Sequence, residues 1–312
     1  MAEAAGKTIS DKDMRRMNWG GLKPLVRDAL ALPVVNPALI ALARATGGAW
    51  KHRLPVAVRS ASYRTIDGQE VRLLDPTIDQ IARELFWHDG HPGRRGDALA
   101  MRALELISAE ASVFLDIGSY TGLFALTAAR VNPALRSHAF EIVPDNHLLI
   151  QRNIVENDLI GRVQAHLCGL GGETGSMTMP RSNNLSSLAS SLSLGSTFEG
   201  GISIPVETLD QRFAAETGPM AMKIDVEGFE GEVLRGGAAT LARLKPDIIC
   251  EVLRGHGEAV QAALAPLGYR FWRFTDDGMV AADTVEGVKR DRDWFLSARP
   301  DADAMVARIE AD

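Results

Sequence analysis

The segment VFLDIGSYTG at residues 113–122 determines the fold that we expect for this chain. Its apolar strand runs into Asp116, and Gly118 and Gly122 precede an apolar stretch of helical character. A strand, a glycine-rich turn and a helix in this order leave backbone amides and the helix N-terminus open to a ligand. Tight turns of this kind also join strands to helices where no ligand binds, so the segment alone leaves both interpretations open.

Apolar strands alternate with helical segments on both sides of this turn, which is the pattern of parallel βαβ units. The predicted strands cover residues 112–118, 137–142, 162–168, 220–226 and 247–253. Near the end of the chain, the runs YRFWRF and DWFLSA are predicted to form an antiparallel pair that completes the sheet. The expected fold class is therefore α/β.

The composition excludes several classes of protein. A net charge of −6 and a pI of about 5.7 give no electrostatic support for nucleic-acid binding. We expect no signal peptide, because the polar N-terminus lacks an apolar core, and no membrane span, because Pro33, Pro37 and Arg44 interrupt the apolar stretch 29–48. A peripheral membrane contact of that stretch is a minor alternative.

Two cysteines, Cys168 and Cys250, lie within strand-like apolar runs. We predict two reduced thiols in the core, because a metal site would need more ligands at closer spacing. This usage fits a reducing compartment, and we expect a cytoplasmic location.

The turn also bears on the cofactor. A nicotinamide-binding unit would show G-x-G-x-x-G, whereas this chain has D-x-G-x-x-x-G with Asp116 at the end of the strand. A carboxylate there would repel a pyrophosphate but suits a cationic, amino-acid-bearing cofactor such as S-adenosylmethionine. Glu141 ends the next predicted strand, where an acid can accept hydrogen bonds from a ribose diol.

A second segment is KIDVEGFEGEVLRGG at residues 223–237. It has a charged residue at every second position of its strand-like start, namely Lys223, Asp225 and Glu227. With these motifs the chain resembles the FkbM-type S-adenosylmethionine-dependent methyltransferases over roughly residues 77–298. The motifs are FLDIGSYTG, FEIVPDNHLLIQRNIVEND, VETLD, MKIDVEGFEGEVLRGG and DIICEVL. The K-I-D-V-E-G-x-E run followed by V-L-x-G is the most specific of them.

The resemblance implies a class I methyltransferase (Rossmann-like) fold. Such a fold has a seven-stranded, mostly parallel sheet with its last strand antiparallel and helices on both faces. It also implies S-adenosylmethionine as cofactor and O-methylation of a hydroxyl on a sugar or small metabolite. The expected cofactor-binding residues are Asp116, Gly118, Ser119, Tyr120, Gly122 and Glu141. This chain has Ser119 and Tyr120 where the family usually has Ala and Asn, and Tyr120 makes the turn bulkier.

In this fold the strand with Lys223 lies near the middle of the sheet, where isolated charges would cost several kcal/mol each. The charges must therefore pair or lie at the carboxyl end of the strand, where open α/β sheets bind ligands. We predict Asp225 as the proton acceptor with Glu227 second, and we expect Lys223 to pair with an acid, for which Glu251 is a candidate. A purely structural Lys–Asp–Glu network is the alternative interpretation.

Other assignments stay open at this stage. No metal ligand is assigned, although a divalent cation bridging Asp225, Glu227 or Glu251 is conceivable. We expect an N-terminal, partly helical extension at 1–76 and the methyltransferase domain at 77–312. The Ser-, Gly- and Asn-rich segment 172–201 is either a surface excursion or a loop over the acceptor site. Homo-oligomerisation stays open.

Three other functions compete with a methyltransferase. A non-catalytic module that binds S-adenosylmethionine or nucleotide would be favoured by loss of Asp225 or Glu227, but both are present. A nicotinamide-dependent oxidoreductase is disfavoured by the glycine spacing. An amino-methylating nucleic-acid enzyme is disfavoured by the charge and by the absence of a D/N-P-P-Y/F run.

Overall fold

The computed structural model describes residues 8–9, 22–179, 197–198 and 201–311. Within them, most strands belong to one central sheet, and shorter sheets lie beside it. The strands are β1 (Thr8–Ile9), β2 (Ser60–Arg64), β3 (Glu70–Leu74), β4 (Val113–Ile117), β5 (Arg136–Glu141), β6 (Val163–Leu167), β7 (Gly169–Leu170), β8 (Gly175–Met179), β9 (Thr197–Phe198), β10 (Ile202–Glu207), β11 (Met220–Ile224), β12 (Asp247–Glu251), β13 (Arg270–Thr275), β14 (Gly278–Ala282) and β15 (Asp293–Ser297).

Helices connect these strands and cover both faces of the central sheet. The α-helices are α1 (Leu22–Leu30), α2 (Val35–Thr46), α3 (Gln80–Trp87), α4 (Arg95–Glu110), α5 (Leu123–Val131), α6 (Pro144–Glu156), α7 (Leu209–Arg212), α8 (Glu230–Arg235), α9 (Ala238–Leu244), α10 (Gly257–Leu264) and α11 (Ala302–Glu310). Short 3₁₀ turns cover Ala49–Arg53 and Ala265–Leu267.

The central sheet has the strand order β14-β13-β15-β12-β11-β4-β5-β6. Strands β4, β5, β6, β11 and β12 are mutually parallel, and β15 runs antiparallel between β12 and β13. This is the predicted mostly parallel sheet with an antiparallel last strand. It differs from the expected seven strands by an eighth, β14, because the chain turns back after β13 and pairs with it as a hairpin.

Strand order places the candidate site. The first strand of the sheet in sequence, β4, lies between β5 on one side and β11 on the other. The chain therefore leaves β4 in one direction and later returns on its other side, so β4 and β11 flank a topological switch point. Open α/β sheets bind ligands at the carboxyl ends of the strands at such a point.

The period-two alternation of the strands divides the core between two faces. On β4, Phe114 packs with apolar residues of α4, α5, α6 and α11, whereas Leu115 and Ile117 pack with those of α7 to α10. By the same alternation on β11, Ala221 contributes to the first core and Met222 to the second. Lys223 therefore belongs to the face that α4 and α5 cover.

The N-terminal part joins this core rather than standing apart from it. The β2–β3 hairpin adds Tyr63, Val71 and Leu73 to the same apolar cluster as α4 and α5. Buried Asn36 holds the α1–α2 region in place, because its side-chain amide donates to the carbonyls of Leu30 and Pro55. The domain boundary at residue 76 stays a prediction. In the described residues, no helix has both the length and the apolar character that crossing a membrane requires.

Candidate active site

The glycine turn after β4 touches the end of β11 directly. Gly118 has φ +82°, and its amide donates to the carbonyl of Phe140. A Cβ atom built on Gly118 would lie 1.8 Å from the backbone oxygen of Asp225. Only glycine therefore permits this close approach, which fixes the distance between the ends of the two strands that flank the switch point.

Asp116 stabilises the helix that follows the turn. Its Oδ2 accepts a hydrogen bond from the amide of Ala125 at 3.0 Å, near the N-terminus of α5, and the Ser119 hydroxyl donates to the Asp116 carbonyl at 2.6 Å. Burial raises the pKa of Asp116 to about 7, against the opposing effects of that hydrogen bond and of Lys223. Gly122 precedes the helix with φ +80°. Asp116, Ser119 and Gly122 thus shape the turn, and their contact with a cofactor stays a prediction.

Glu141 ties the ends of two strands together. Its Oε2 accepts from the amide of Tyr120 at 2.8 Å, and its Oε1 accepts from the amide of Val143 at 2.8 Å. Burial, the largest influence, raises the pKa of Glu141 to about 7. Tyr120 adopts a left-handed φ of 50° in this arrangement. The sequence predicted Glu141 at the end of a strand. It did not predict the hydrogen bond that Glu141 accepts from the Tyr120 amide in the glycine turn.

A cavity of about 250 Å³ opens beside these groups, and we call it the first cavity. Gly118, Tyr120 and Glu141 line it from the β4 and β5 ends, and Asp225 and Glu227 line it from the β11 end. Its apolar lining includes Phe140, Ile142, Val143 and Leu170. Five of the residues that the sequence singled out therefore surround one space, whereas Asp116, Ser119, Gly122 and Lys223 do not line it.

Lys223 is a buried cation with carboxylate partners. Its side chain is 5% exposed, and its Nζ lies 2.8 Å from Asp293 Oδ1 and 3.6 Å from Asp225 Oδ2. Burial alone would lower the pKa of Lys223, but the carboxylates of Asp293, Asp225 and Glu251 together raise it above its usual value. Lys223 is therefore protonated.

The carboxylate closest to Lys223 is that of Asp293, so the predicted pairing of Lys223 with Glu251 was wrong. In the sheet, Lys223 on β11 lies opposite Ile249 on β12, and not opposite Glu251. Glu251 lies opposite Asp293 in the antiparallel register of β12 and β15. The antiparallel direction of β15 brings its first residue, Asp293, to the carboxyl edge of the sheet. The available signal was an acid at the start of the strand in RDWFLSA, and recognising it requires knowing which strand neighbours β12.

Three carboxylates converge at the mouth of the site. One ligand oxygen each from Asp225, Glu227 and Glu251 lie within 4.8 Å of one another. Burial, followed by the charge of Asp225, raises the pKa of Glu251 to about 9. The Oε1 atom of Glu251 also lies 3.5 Å from Nη1 of Arg292. The same spacing is compatible with one divalent cation, so the metal alternative stays open.

A fourth acid, Glu230, was missed by the sequence reasoning although it ends the E-G-x-E part of the motif. It is fully buried, and its Oε1 accepts from the amides of Val226 at 3.2 Å and Gly228 at 2.9 Å. These bonds hold the turn in which Glu227 adopts a left-handed φ of 52°. The motif therefore combines carboxylates at the site with an internal acid that fixes their turn.

The segment 172–201 is described only in part. Its first strand, β8, pairs antiparallel with β10, and β10 runs parallel to β7. Most of the predicted loop, including SSLASS at 186–191, lies outside the described residues. Its role over the acceptor site stays a prediction. Cys168 and Cys250 are buried and free, as predicted.

With this geometry established, comparison with known proteins identifies the family. The family model for the methyltransferase FkbM domain matches residues 116–279, more than half of the 312 residues. The chain belongs to the FkbM methyltransferase family. The matched range begins at Asp116 and includes Glu141, Lys223, Asp225 and Glu227.

Among similar sequences, "Methyltransferase 1" of Beauveria bassiana (strain ARSEF 2860) is 30% identical over an alignment of 146 residues, with 40% of this chain and 58% of that protein covered. "Methyltransferase sdnD" of Sordaria araneosa is 30% identical over 116 residues, which are 36% of this chain and 43% of that protein. The FkbM family chain thus spans about half the length of the curated relatives that it matches.

Solved structures that are similar to this chain include the methyltransferase FkbM from Methylobacillus flagellatus KT. It shows 16% identity and a TM-score of 0.39, and the match covers 60% of this chain and 44% of that one. The O-methyltransferase from Bacillus cereus in complex with SAH shows 14% identity and a TM-score of 0.37, with coverage of 64% and 80%.

Proposed function

We propose that this FkbM family protein is an S-adenosylmethionine-dependent methyltransferase that methylates a hydroxyl group of a small metabolite or sugar. The observation that carries the proposal is the first cavity. There the glycine turn with Glu141 and the carboxylate of Asp225 face one space from the two sides of the switch point. Family membership supports methyl transfer as the reaction class.

The residues of the first cavity fit the chemistry of this cofactor. The Glu141 side chain lines the first cavity, where its carboxylate could accept hydrogen bonds from a ribose diol. The apolar side chains of Ile142, Val143 and Leu170 would cover an adenine ring. The acids in the wall are compatible with a cationic sulfonium and unfavourable for the pyrophosphate of a dinucleotide.

The acceptor's proton would go to a carboxylate at the β11 end. When bound, the cofactor would supply an electrophilic methyl group to the acceptor oxygen. Asp225 is the best-placed base, because its side chain is 36% exposed and lines the cavity, whereas Glu251 does not line it. Lys223 fixes the carboxylate of Asp225 from the buried side. Glu227 is the second candidate base.

Holding the reacting groups in line supplies most of the rate enhancement that such a displacement needs. The turn that carries Asp225 is held rigidly, since the Asp225 amide donates to the carbonyl of Ile117 at 2.9 Å and Glu230 binds the amides that follow. The site is therefore built for positioning. We also propose a cytoplasmic location, which the two free, buried cysteines support.

The direct test is a search for methylated products by mass spectrometry after incubation with S-adenosylmethionine and a metabolite extract. We expect at least one metabolite to gain the mass of one methylene group, and no gain with Asp225→Asn. A folded wild-type protein that binds the cofactor but yields no product from broad extracts would favour a non-catalytic binding module. No cofactor binding at all would refute the proposal.

A further inference from the structure

A second cavity of about 190 Å³ lies beside the first on the face of the sheet that α4 and α5 cover. The two cavities share Ile81, Glu84 and Asp225 as lining residues. Asp225 therefore faces both spaces. None of the groups that suit the cofactor, namely Gly118, Tyr120 and Glu141, lines the second cavity.

The wall of the second cavity is mostly apolar. Helix α4 contributes Ala100 and Met101, α3 contributes Leu85, and the first turn of α5 contributes Leu123 and Phe124. Leu85, Ala100, Met101 and Leu123 are buried, and all four belong to the main apolar cluster of the protein. The core of the fold and the three helices α3, α4 and α5 therefore form most of this wall.

The polar groups of this wall offer few free donors. Lys223 is the one cation among the lining residues, and its Nζ is held by Asp293 at 2.8 Å and by Asp225 at 3.6 Å. The remaining polar lining residues are carboxylates, Glu84 and Asp97. Hydroxyl groups that donate to Asp225, Glu84 or Asp97 would be satisfied here. The ring and ether oxygens of a sugar would lack donors, and each unpaired polar group would cost about 1–3 kcal/mol.

We propose that the second cavity is the acceptor site and that it takes a small alcohol with an apolar alkyl or aryl body, not a free sugar. This inference rests on the proposed function and narrows its acceptor class. The size is adequate, since an apolar cavity of about 150 Å³ takes up benzene. With the cofactor in the first cavity and the alcohol in the second, Asp225 would contact the hydroxyl at their junction.

Benzyl alcohol and methyl glucoside are suitable probes, each tested by ligand-observed NMR with and without saturating S-adenosylhomocysteine. We expect benzyl alcohol to bind and methyl glucoside not to bind. Ala100→Leu would fill the second cavity, so it should weaken the binding of benzyl alcohol about tenfold, or roughly 1.4 kcal/mol. It should leave the affinity for S-adenosylhomocysteine within about twofold. Ala109→Leu, an exposed position on the same helix, is the matched control and should change neither affinity.

A second variant, which enlarges the cavity, keeps the test valid if Ala100→Leu fails to fold. Met101→Ala enlarges the cavity and should admit 2-naphthalenemethanol more readily than the wild type does. Equal binding of methyl glucoside and benzyl alcohol, or an Ala100→Leu protein that loses S-adenosylhomocysteine as strongly as it loses the alcohol, would overturn the assignment. Binding of the alcohol is also measured without S-adenosylhomocysteine. A protein that binds the alcohol but not S-adenosylhomocysteine would therefore contradict the proposed function and not the assignment of the second cavity.

Discussion

Lys223 Nζ lies 2.8 Å from Asp293 Oδ1, which joins the centre of the parallel sheet to the start of its antiparallel strand β15. Asp225 Oδ2 lies farther from the same nitrogen, at 3.6 Å. The closer carboxylate therefore neutralises the buried cation, and Asp225 remains available to a ligand.

Asp293→Asn should lower the free energy of unfolding by about 2–3 kcal/mol. Breaking a buried ion pair costs about 3–5 kcal/mol, and Asp225 would still partly compensate the charge of Lys223. Denaturant unfolding measures the change. Asp303→Asn is a matched control, because Asp303 pairs with Arg270 at 2.7 Å but is 76% exposed, and it should cost no more than about 1 kcal/mol. Equal costs for both variants would contradict the role of Asp293.

Asp225→Asn should reduce turnover by about 10²–10⁴-fold, the usual contribution of a positioned base, while affinity for S-adenosylhomocysteine changes little. Its stability should stay close to that of the wild type, because Lys223 keeps Asp293. Melting temperature and single-turnover rate on one preparation give both readouts. A strongly destabilised variant with a near-normal rate would show that Asp225 is only a structural partner of Lys223.

The carboxylates of Asp225, Glu227 and Glu251 allow a test by metal removal. If Asp225 acts as a base without a cation, dialysis against EDTA should leave the turnover rate within about twofold of its starting value, a change well under 1.4 kcal/mol. Loss of activity that added Mg²⁺ restores would instead assign the three acids to a metal.

Gly118→Ala should be far more destabilising than Gly161→Ala. The two glycines have nearly identical φ values, 82° and 81°, but a Cβ on Gly161 meets nothing within 4 Å, whereas one on Gly118 meets the Asp225 oxygen. Gly161→Ala therefore reports the backbone cost alone, about 1–2 kcal/mol. Gly118→Ala should exceed it by at least about 2 kcal/mol and should weaken cofactor binding. Similar stabilities in thermal unfolding would contradict the close approach.

Glu141 should make stability depend on pH. Burial raises its pKa to about 7 in the folded protein, so the folded state holds a proton that the unfolded state releases between about pH 4.3 and 7. The stability that this proton adds is fully present below the unfolded pKa and is lost as pH rises through about 7. The decrease is at most about 1.4 kcal/mol per pH unit. Glu141→Gln should remove it, which denaturant unfolding at several pH values checks; parallel curves for both proteins would argue against the raised pKa.

Strands β4, β5, β11 and β12 could be predicted because each is a short apolar run that ends at a glycine or an acid. Gly118, Glu141 and Asp225 could be placed at one edge for the same reason, since parallel strands end on one side. The partner of Lys223, Asp293, could not be predicted, because this contact forms only when β15 enters the sheet beside β12. The internal roles of Asp116 and Glu230 also depend on which amides lie within reach after folding, and local sequence does not encode that.

The central claim is that the first cavity binds S-adenosylmethionine through Glu141, and isothermal titration calorimetry with S-adenosylhomocysteine tests it most directly. The wild type should bind one equivalent, and Glu141→Ala should weaken binding by about 1–3 kcal/mol. Glu286→Ala, at an exposed acid remote in sequence from the site motifs, should bind like the wild type. Absence of binding to the folded wild type, or unchanged affinity in a folded Glu141→Ala variant, would contradict the account.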